Sequence, residues 1–376
     1  MIFNTNHGIM KVKILLLCFL TFFVSLGCST DEKNPINPDI EAAPTGMYFP
    51  PLDTNDWETV TPAQLQWNEE KIEDLYDYLD SKKTKGFLVL KDGRIVMEKY
   101  FNGHNENAKW TWYSAAKSLT ATFVGVAQEE GYININNKTS DYLGANWSQL
   151  TSEKQDLITV KNHLSMSTGL TDNIDNPIEW ICNLPICMTY TADAGDRWAY
   201  HQGAFMLLQE MVSQNTGMTF MEYCKIKVAD KIGMEGTWTS TLGLNVYNTN
   251  TQGMARFGHL ALNKGTWNEN VIVNASYFTE MTTSSQELNK SYGYLWWLNG
   301  KESHMGTSSQ EIVQGSLIPN APDDLFAALG AQDQKIYVVP SKSLVIVRSG
   351  ESAGVQQLGL SSFDNELWGK LNAVIN

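Results

Sequence analysis

The sequence predicts an α+β protein: an antiparallel sheet flanked by terminal helices, with a helical subdomain inserted at about residues 105–285. Three features carry this expectation. Strand-forming segments gather at both ends of the chain, helical and loop-rich sequence fills the interval between them, and an amphipathic helix stands at each end of the folded part. The 376 residues suffice for one large core, and 43% hydrophobic with 18% charged residues is a globular balance.

The first segment is not expected to join the fold. "MKVKILLLCFLTFFVSLGCST" (Met10–Thr30) has a basic start and an apolar run, Ile14–Leu26, too short to span a bilayer. It reads as a secretory signal covering residues 1–27. "SLGC" resembles a bacterial lipobox with Ser25 where Leu is usual, which makes Cys28 the expected lipidation site. The mature protein is then expected in the bacterial cell envelope, periplasmic or at the outer membrane, held by a lipid anchor. Residues 28–50, polar and proline-rich, read as a flexible tether to a domain covering 51–376.

Within that domain Asn68 is expected to cap a helix whose Ile72, Leu75, Tyr76 and Leu79 share one face. "GFLVLKDGRIVMEKYF" reads as a hairpin about Lys91-Asp92-Gly93. Strand signals return in "YGYLWWL" (292–298), "LFAALGA" (325–331), "KIYVVP" (335–340) and "SLVIVRSG" (343–350). "SSFDNELWGKLNAVI" (361–375) reads as the closing helix.

A net charge of −14 and no basic stripe argue against a nucleic-acid partner. Cys182 and Cys187 flank "NLPI", a spacing that permits a disulfide in an exported protein, and Cys224 reads as a buried thiol. The six histidines contain no pair at metal-ligand spacing, which argues against a His-based metal site. His163 and His259 read as packing residues. Trp112, Trp198, Trp296 and Trp297 read first as core.

The chemistry concentrates in "WTWYSAAKSLTATFVGVAQEEGY" (Trp110–Tyr132). Lys117 follows Ser114 by three residues, so on a helix both side chains share a face. The apolar run after them would bury the lysine, lower its affinity for a proton and make it a base. The ordinary alternative is a surface helix with a solvated lysine, since one such match is expected by chance in a chain this long.

Further segments stand in order around this pair: "GYININNKTSDYLG" (131–144), "ITVKNHLSMSTGL" (158–170), "DRWAYHQGAFMLLQEMVSQNTGMTF" (196–220), "NTGMTFMEYCKIKVADKIGME" (215–235) and "KIYVVPSKSLVIVRSG" (335–350). With them the chain, over roughly residues 60–350, resembles the serine β-lactamase-related superfamily. That group includes class C β-lactamases, D-Ala-D-Ala carboxypeptidases, esterases and 6-aminohexanoate-dimer hydrolases. The resemblance implies a β-lactamase/transpeptidase-like fold, with Ser114 as the acylated nucleophile and Lys117 as its base. It implies Tyr200 as the group that helps activate the serine and protonates the leaving group.

Gln202 falls where the family has Asn, one methylene shorter. In place of the Lys-Thr-Gly or His-x-Gly triplet stand Ala331, Gln332 and Asp333, then Gln334. The resemblance makes Gln202, Gln332, Asp333 and Gln334 the expected substrate- or oxyanion-binding residues. The strand backbone is expected to supply a second oxyanion N–H. No lysine remains to grip a substrate carboxylate; Arg348 is the one expected substitute. His304-Met305-Gly306 spells His-x-Gly but precedes the final strands, and no Gly-x-Ser-x-Gly elbow surrounds Ser114.

The expected function is hydrolysis of a small-molecule or short peptide-like ester or amide through an acyl-enzyme on Ser114, with no cofactor and no metal expected. The alternatives are a β-lactamase or D-Ala-D-Ala carboxypeptidase, and a catalytically silent penicillin-binding-like recognition protein.

Overall fold

The computed structural model describes residues 41–54, 56–172, 176, 180–241, 243–357 and 360–375. The signal segment, Cys28 and the first part of the tether lie outside them.

Helix α1 (Ile72–Ser81) precedes the hairpin of β1 (Thr84–Lys91) and β2 (Arg94–Tyr100). A short strand, β3 (Trp110–Thr111), leads to α2 (Ala116–Glu129) and, after several short helices, to α3 (Gln202–Thr216). The hairpin β4 (Gly236–Thr241) and β5 (Leu244–Thr249) is followed by α4 (Thr251–Leu262). The chain closes with β6 (Trp297–Leu298), β7 (Phe326–Gly330), β8 (Gln334–Val339), β9 (Leu344–Gly350) and α5 (Ser362–Ile375).

Six strands form one antiparallel sheet in the order β2-β1-β9-β8-β7-β6. Strands β8 and β9 are buried along their whole length because helices cover both faces. Alternation assigns the sides. Ile336 and Val345 meet α4, which approaches closely through Gly258; a Cβ there would lie 2.5 Å from Val345 Cγ1. Tyr337 faces the other way, edge-on to Trp368 of α5.

Local sequence explains most boundaries. Asp92 (φ 49°) and Gly93 (φ 81°) make the left-handed turn expected between β1 and β2. Asn68 makes no side-chain cap; a 3-10 turn, Glu69–Lys71, precedes α1, and the Asn68 N–H instead donates to Val374 O of α5. "YGYLWWL" yields only two strand residues, because Leu295 turns left-handed (φ 59°) and the Gly293 N–H closes onto Trp296 O.

The interval 105–285 is not wholly helical. Strands β3, β5 and β4 form their own three-stranded sheet there, and α4 belongs to the layer covering the main sheet. The expected tether is also shorter. Gly46 O accepts from Arg94, the Tyr48 N–H donates to Asp92 O, Tyr48 O bonds His259 Nε2, and Phe49 packs edge-on against Trp267. Among the described residues no helix is long and apolar enough to cross a membrane.

Candidate active site

Ser114 sits in a 3-10 turn, Tyr113–Ala115, that runs directly into α2. Tyr113 before it is left-handed (φ 49°), an uncommon conformation for a bulky residue and one that gathers at functional sites. The end of β7 lies hard against this turn. A Cβ on Gly330 would stand 2.2 Å from Trp112 O and 3.0 Å from Ala115 N, so only glycine permits the approach.

Lys117, the second residue of α2 and one turn beyond Ser114, is buried with its side chain directed at Ser114. Its Nζ lies 3.0 Å from Ser114 Oγ and 2.6 Å from Gln202 Oε1. The rings of Tyr200 and Phe205 flank the amine at 4.9 and 4.7 Å. Among the described residues no carboxylate comes within ion-pair distance of it. Burial without a counter-charge lowers the Lys117 pKa from 10.5 to about 7.

Tyr200 responds to the same environment in the opposite sense. Burial raises its phenol above the usual value of 10, with Ser114 working against that rise. The lysine is therefore the group that changes protonation near neutral pH, and the tyrosine stays a neutral phenol.

Gln202 reaches the amine because it opens α3. His201 caps that helix by accepting the Ala204 N–H, which leaves the Gln202 side chain free to project toward α2. The glutamine thus makes the bond to lysine that its extra methylene put in question. Among the described residues its Nε2 has no protein partner, and the residue lines the cavity around Ser114.

That cavity holds about 110 Å³ and is mostly apolar, walled by Tyr113, Trp180, Phe205, Leu244, Val246 and Ala331. Trp180, Phe205 and the β5 residues escaped sequence reasoning, because nothing in their local pattern separates them from core or loop. Trp180 is placed by its indole N–H, which donates to Tyr200 O at 2.9 Å. The Cys182–Cys187 disulfide closes the loop just beyond it. The Cys182 carbonyl rests on α3 at Gly203, where a Cβ would stand 2.0 Å from it.

Ser114, Lys117, Tyr200 and Gln202 are brought together. Gln332, Asp333 and Gln334 are not with them. Gly330 abuts the serine turn and Ala331 reaches the cavity, so the following side chains turn away. The Gln334 amide donates to Ala331 O, Gln332 O and Gly350 O, and Asp333 pairs with Lys335. Arg348 is no carboxylate anchor either. It is fully buried, and its guanidinium donates to Gln332 O, Asp333 O, Lys82 O and Thr84 Oγ1.

His304 and Met305 lie in a two-stranded ribbon, where the His304 ring bonds Gly315 O. His163 is buried between Ala204 O and Thr139 Oγ1, and His259 bonds Tyr48 O; burial pushes both down to about 4, which suits packing roles. Trp112, Trp198, Trp296 and Trp297 are all core. Among the described residues no cluster of three potential metal ligands occurs.

Solved structures share this fold at low sequence identity. A protein assigned as a 6-aminohexanoate-dimer hydrolase from Bacillus anthracis aligns with a TM-score of 0.62 and 21% identity, over 88% of this chain and 86% of its own. A family VIII carboxylesterase gives 0.61 and 17%, over 80% and 96%. A penicillin-binding protein from Bacillus halodurans gives 0.59 and 15%, over 80% and 99%. A search of curated protein sequences finds no match. The Beta-lactamase family profile matches residues 78–350. Since that span runs from α1 through β9, taking in the whole main sheet and everything inserted into it, the chain belongs to the Beta-lactamase family.

Proposed function

We propose that the protein is a serine hydrolase that acylates Ser114 with the acyl group of an ester or amide. One observation carries the reading: a fully buried lysine within hydrogen-bond reach of a serine, with no acid beside it, whose amine is substantially neutral at pH 7. Ser114 Oγ attacks the carbonyl carbon while Lys117 Nζ takes its proton. The developing oxyanion lies between the Ser114 and Ala331 backbone N–H groups. Outside the regular helix and strand bonds, neither of these has a partner among the described residues. Tyr200, a neutral phenol, gives its proton to the departing oxygen or nitrogen as the tetrahedral intermediate collapses, and the proton that Lys117 took from Ser114 replaces it, leaving both groups neutral. Water then attacks the acyl-enzyme by the same route in reverse.

The walls favour a short apolar acyl group. Among the described residues neither arginine is free for a substrate carboxylate: Arg348 is buried and Arg197 is clamped bidentate by Asp172 at 2.8–3.1 Å. We place the protein in the bacterial cell envelope, on the signal-like segment and Cys28 of its sequence. A panel of p-nitrophenyl acyl esters beside benzylpenicillin tests the function. Turnover of short esters with poor penicillin hydrolysis is expected. Efficient penicillin turnover makes it a β-lactamase, and loss of both reactions leaves a recognition protein.

A further inference from the structure

The turn between β7 and β8 holds two consecutive left-handed residues that are not glycine, Gln332 at φ 56° and Asp333 at φ 59°. Such strain persists only where the surroundings fix it. Here the side chains of Arg348, Gln334 and Lys335 are buried, and with Ser361 and the 353–354 amides they converge on these few atoms. Arg348 Nη1 donates to Gln332 O and Asp333 O, each at 3.0 Å. The Gln334 amide donates to Gln332 O at 2.8 Å. The Asp333 carboxylate accepts from the Ala353 N–H at 2.7 Å, from the Gly354 N–H at 3.2 Å and from the Ser361 hydroxyl. Lys335 Nζ bridges Asp333 at 3.2 Å and Asp364 of α5 at 2.8 Å. None of these side chains lines the cavity around Ser114. Ala331, the first residue of the turn, does.

We propose that Asp333 is a positioning residue for acyl transfer. Anchored by Lys335, Ser361 and the 353–354 amides, it holds the turn in the left-handed form that aims the Ala331 N–H at the oxyanion. The proposal rests on the reading that Ala331 donates there. Its physical basis is that Gly330 has no room to move toward Ser114. Relaxation of Gln332 and Asp333 into an ordinary turn must then be taken up at Ala331. The lowered proton affinity of the Asp333 carboxyl, held down by Lys335, Ser361 and the Ala353 N–H against the effect of burial, keeps the anchor charged.

The test is a double-mutant cycle on kcat/KM for p-nitrophenyl acetate, with inhibition by a short alkyl trifluoromethyl ketone as the second readout. Its hydrated or serine-bound oxygen mimics the oxyanion. Ala331→Pro deletes the N–H itself; Gly330 before it is extended (φ −126°, ψ 157°), a conformation that tolerates a following proline. That variant should lose roughly a hundredfold, the scale of one oxyanion donor. Asp333→Asn should lower kcat roughly tenfold with KM nearly unchanged, and weaken the ketone by the same factor. In the Ala331→Pro background it should add nothing, because the group it positions is gone.

A multiplicative loss in that background, or wild-type ketone inhibition in a folded Asp333→Asn protein, overturns the positioning role alone. Wild-type turnover by Ala331→Pro overturns the oxyanion reading beneath it. Should Asp333→Asn fail to fold, Ser361→Ala removes one bond to the carboxylate without stranding Lys335. A loss of about twofold or more that disappears in Ala331→Pro supports the proposal by the same coupling logic, and a loss that persists there overturns it.

Discussion

Replacing Lys117 by Met should make the balance between the two proteins' stabilities depend on pH in a calculable way. In the folded protein burial holds the Lys117 amine at about 7, whereas an unfolded chain returns it to about 10.5. Between those values the unfolded lysine binds a proton that the folded one does not. Wild-type stability therefore rises with pH by about 1.36 kcal/mol per pH unit relative to a variant with no proton to bind. From pH 7.5 to 9.5 the wild type should gain about 2.5 kcal/mol on Lys117→Met, after allowing for partial titration at each end.

The lost bonds to Ser114 and Gln202 add a constant offset and leave this slope untouched. Urea unfolding of both proteins at pH 7.5, 8.5 and 9.5 supplies the numbers. The same titration should appear in catalysis as a kcat/KM that climbs with pH through about 7. Parallel stabilities across the range would mean that Lys117 is charged in the folded protein and is not the base.

Two further outcomes follow from the geometry. Tyr200→Phe should cut turnover of an alkyl ester roughly a hundredfold while costing a p-nitrophenyl ester much less, since nitrophenolate leaves without a proton; equal losses would remove the tyrosine from leaving-group protonation. Gly203→Ala should destabilise the protein by about 1–3 kcal/mol, because its Cβ would meet the Cys182 backbone carbonyl, which yields only if the disulfide loop moves. An unchanged Tm would show that loop to be less firmly seated on α3 than described.

The sheet and its helices were legible because each face of β1, β8 and β9 needs apolar residues, and those runs stand out in sequence. Ser114, Lys117, Tyr200 and Gln202 were legible through short motifs whose spacing the chemistry constrains. The register at the end of β7 was not. Its turn uses left-handed Gln332 and Asp333 where glycine would have marked the bend, so nothing in the sequence shows that the side chains after Ala331 leave the cavity. The partners that hold this turn lie far along the chain, Asp364 and Ser361 on one side and Thr84 on the other. Arg348 reads as available in sequence because nothing there shows that the carbonyls of Lys82, Gln332 and Asp333 converge on its guanidinium. Trp180 and Phe205 became site residues only when α2, α3 and the disulfide loop were brought together, a juxtaposition no local pattern encodes.

Covalent modification of Ser114 is the step on which every role assigned above depends, and intact-protein mass spectrometry after treatment with a fluorophosphonate reads it directly. One adduct per chain, mapped by peptide digestion to Ser114, slowed by Lys117→Met and absent from folded Ser114→Ala, is the predicted result. An adduct of equal yield on Ser114→Ala, or none on folded wild-type protein that still hydrolyses esters, would contradict it.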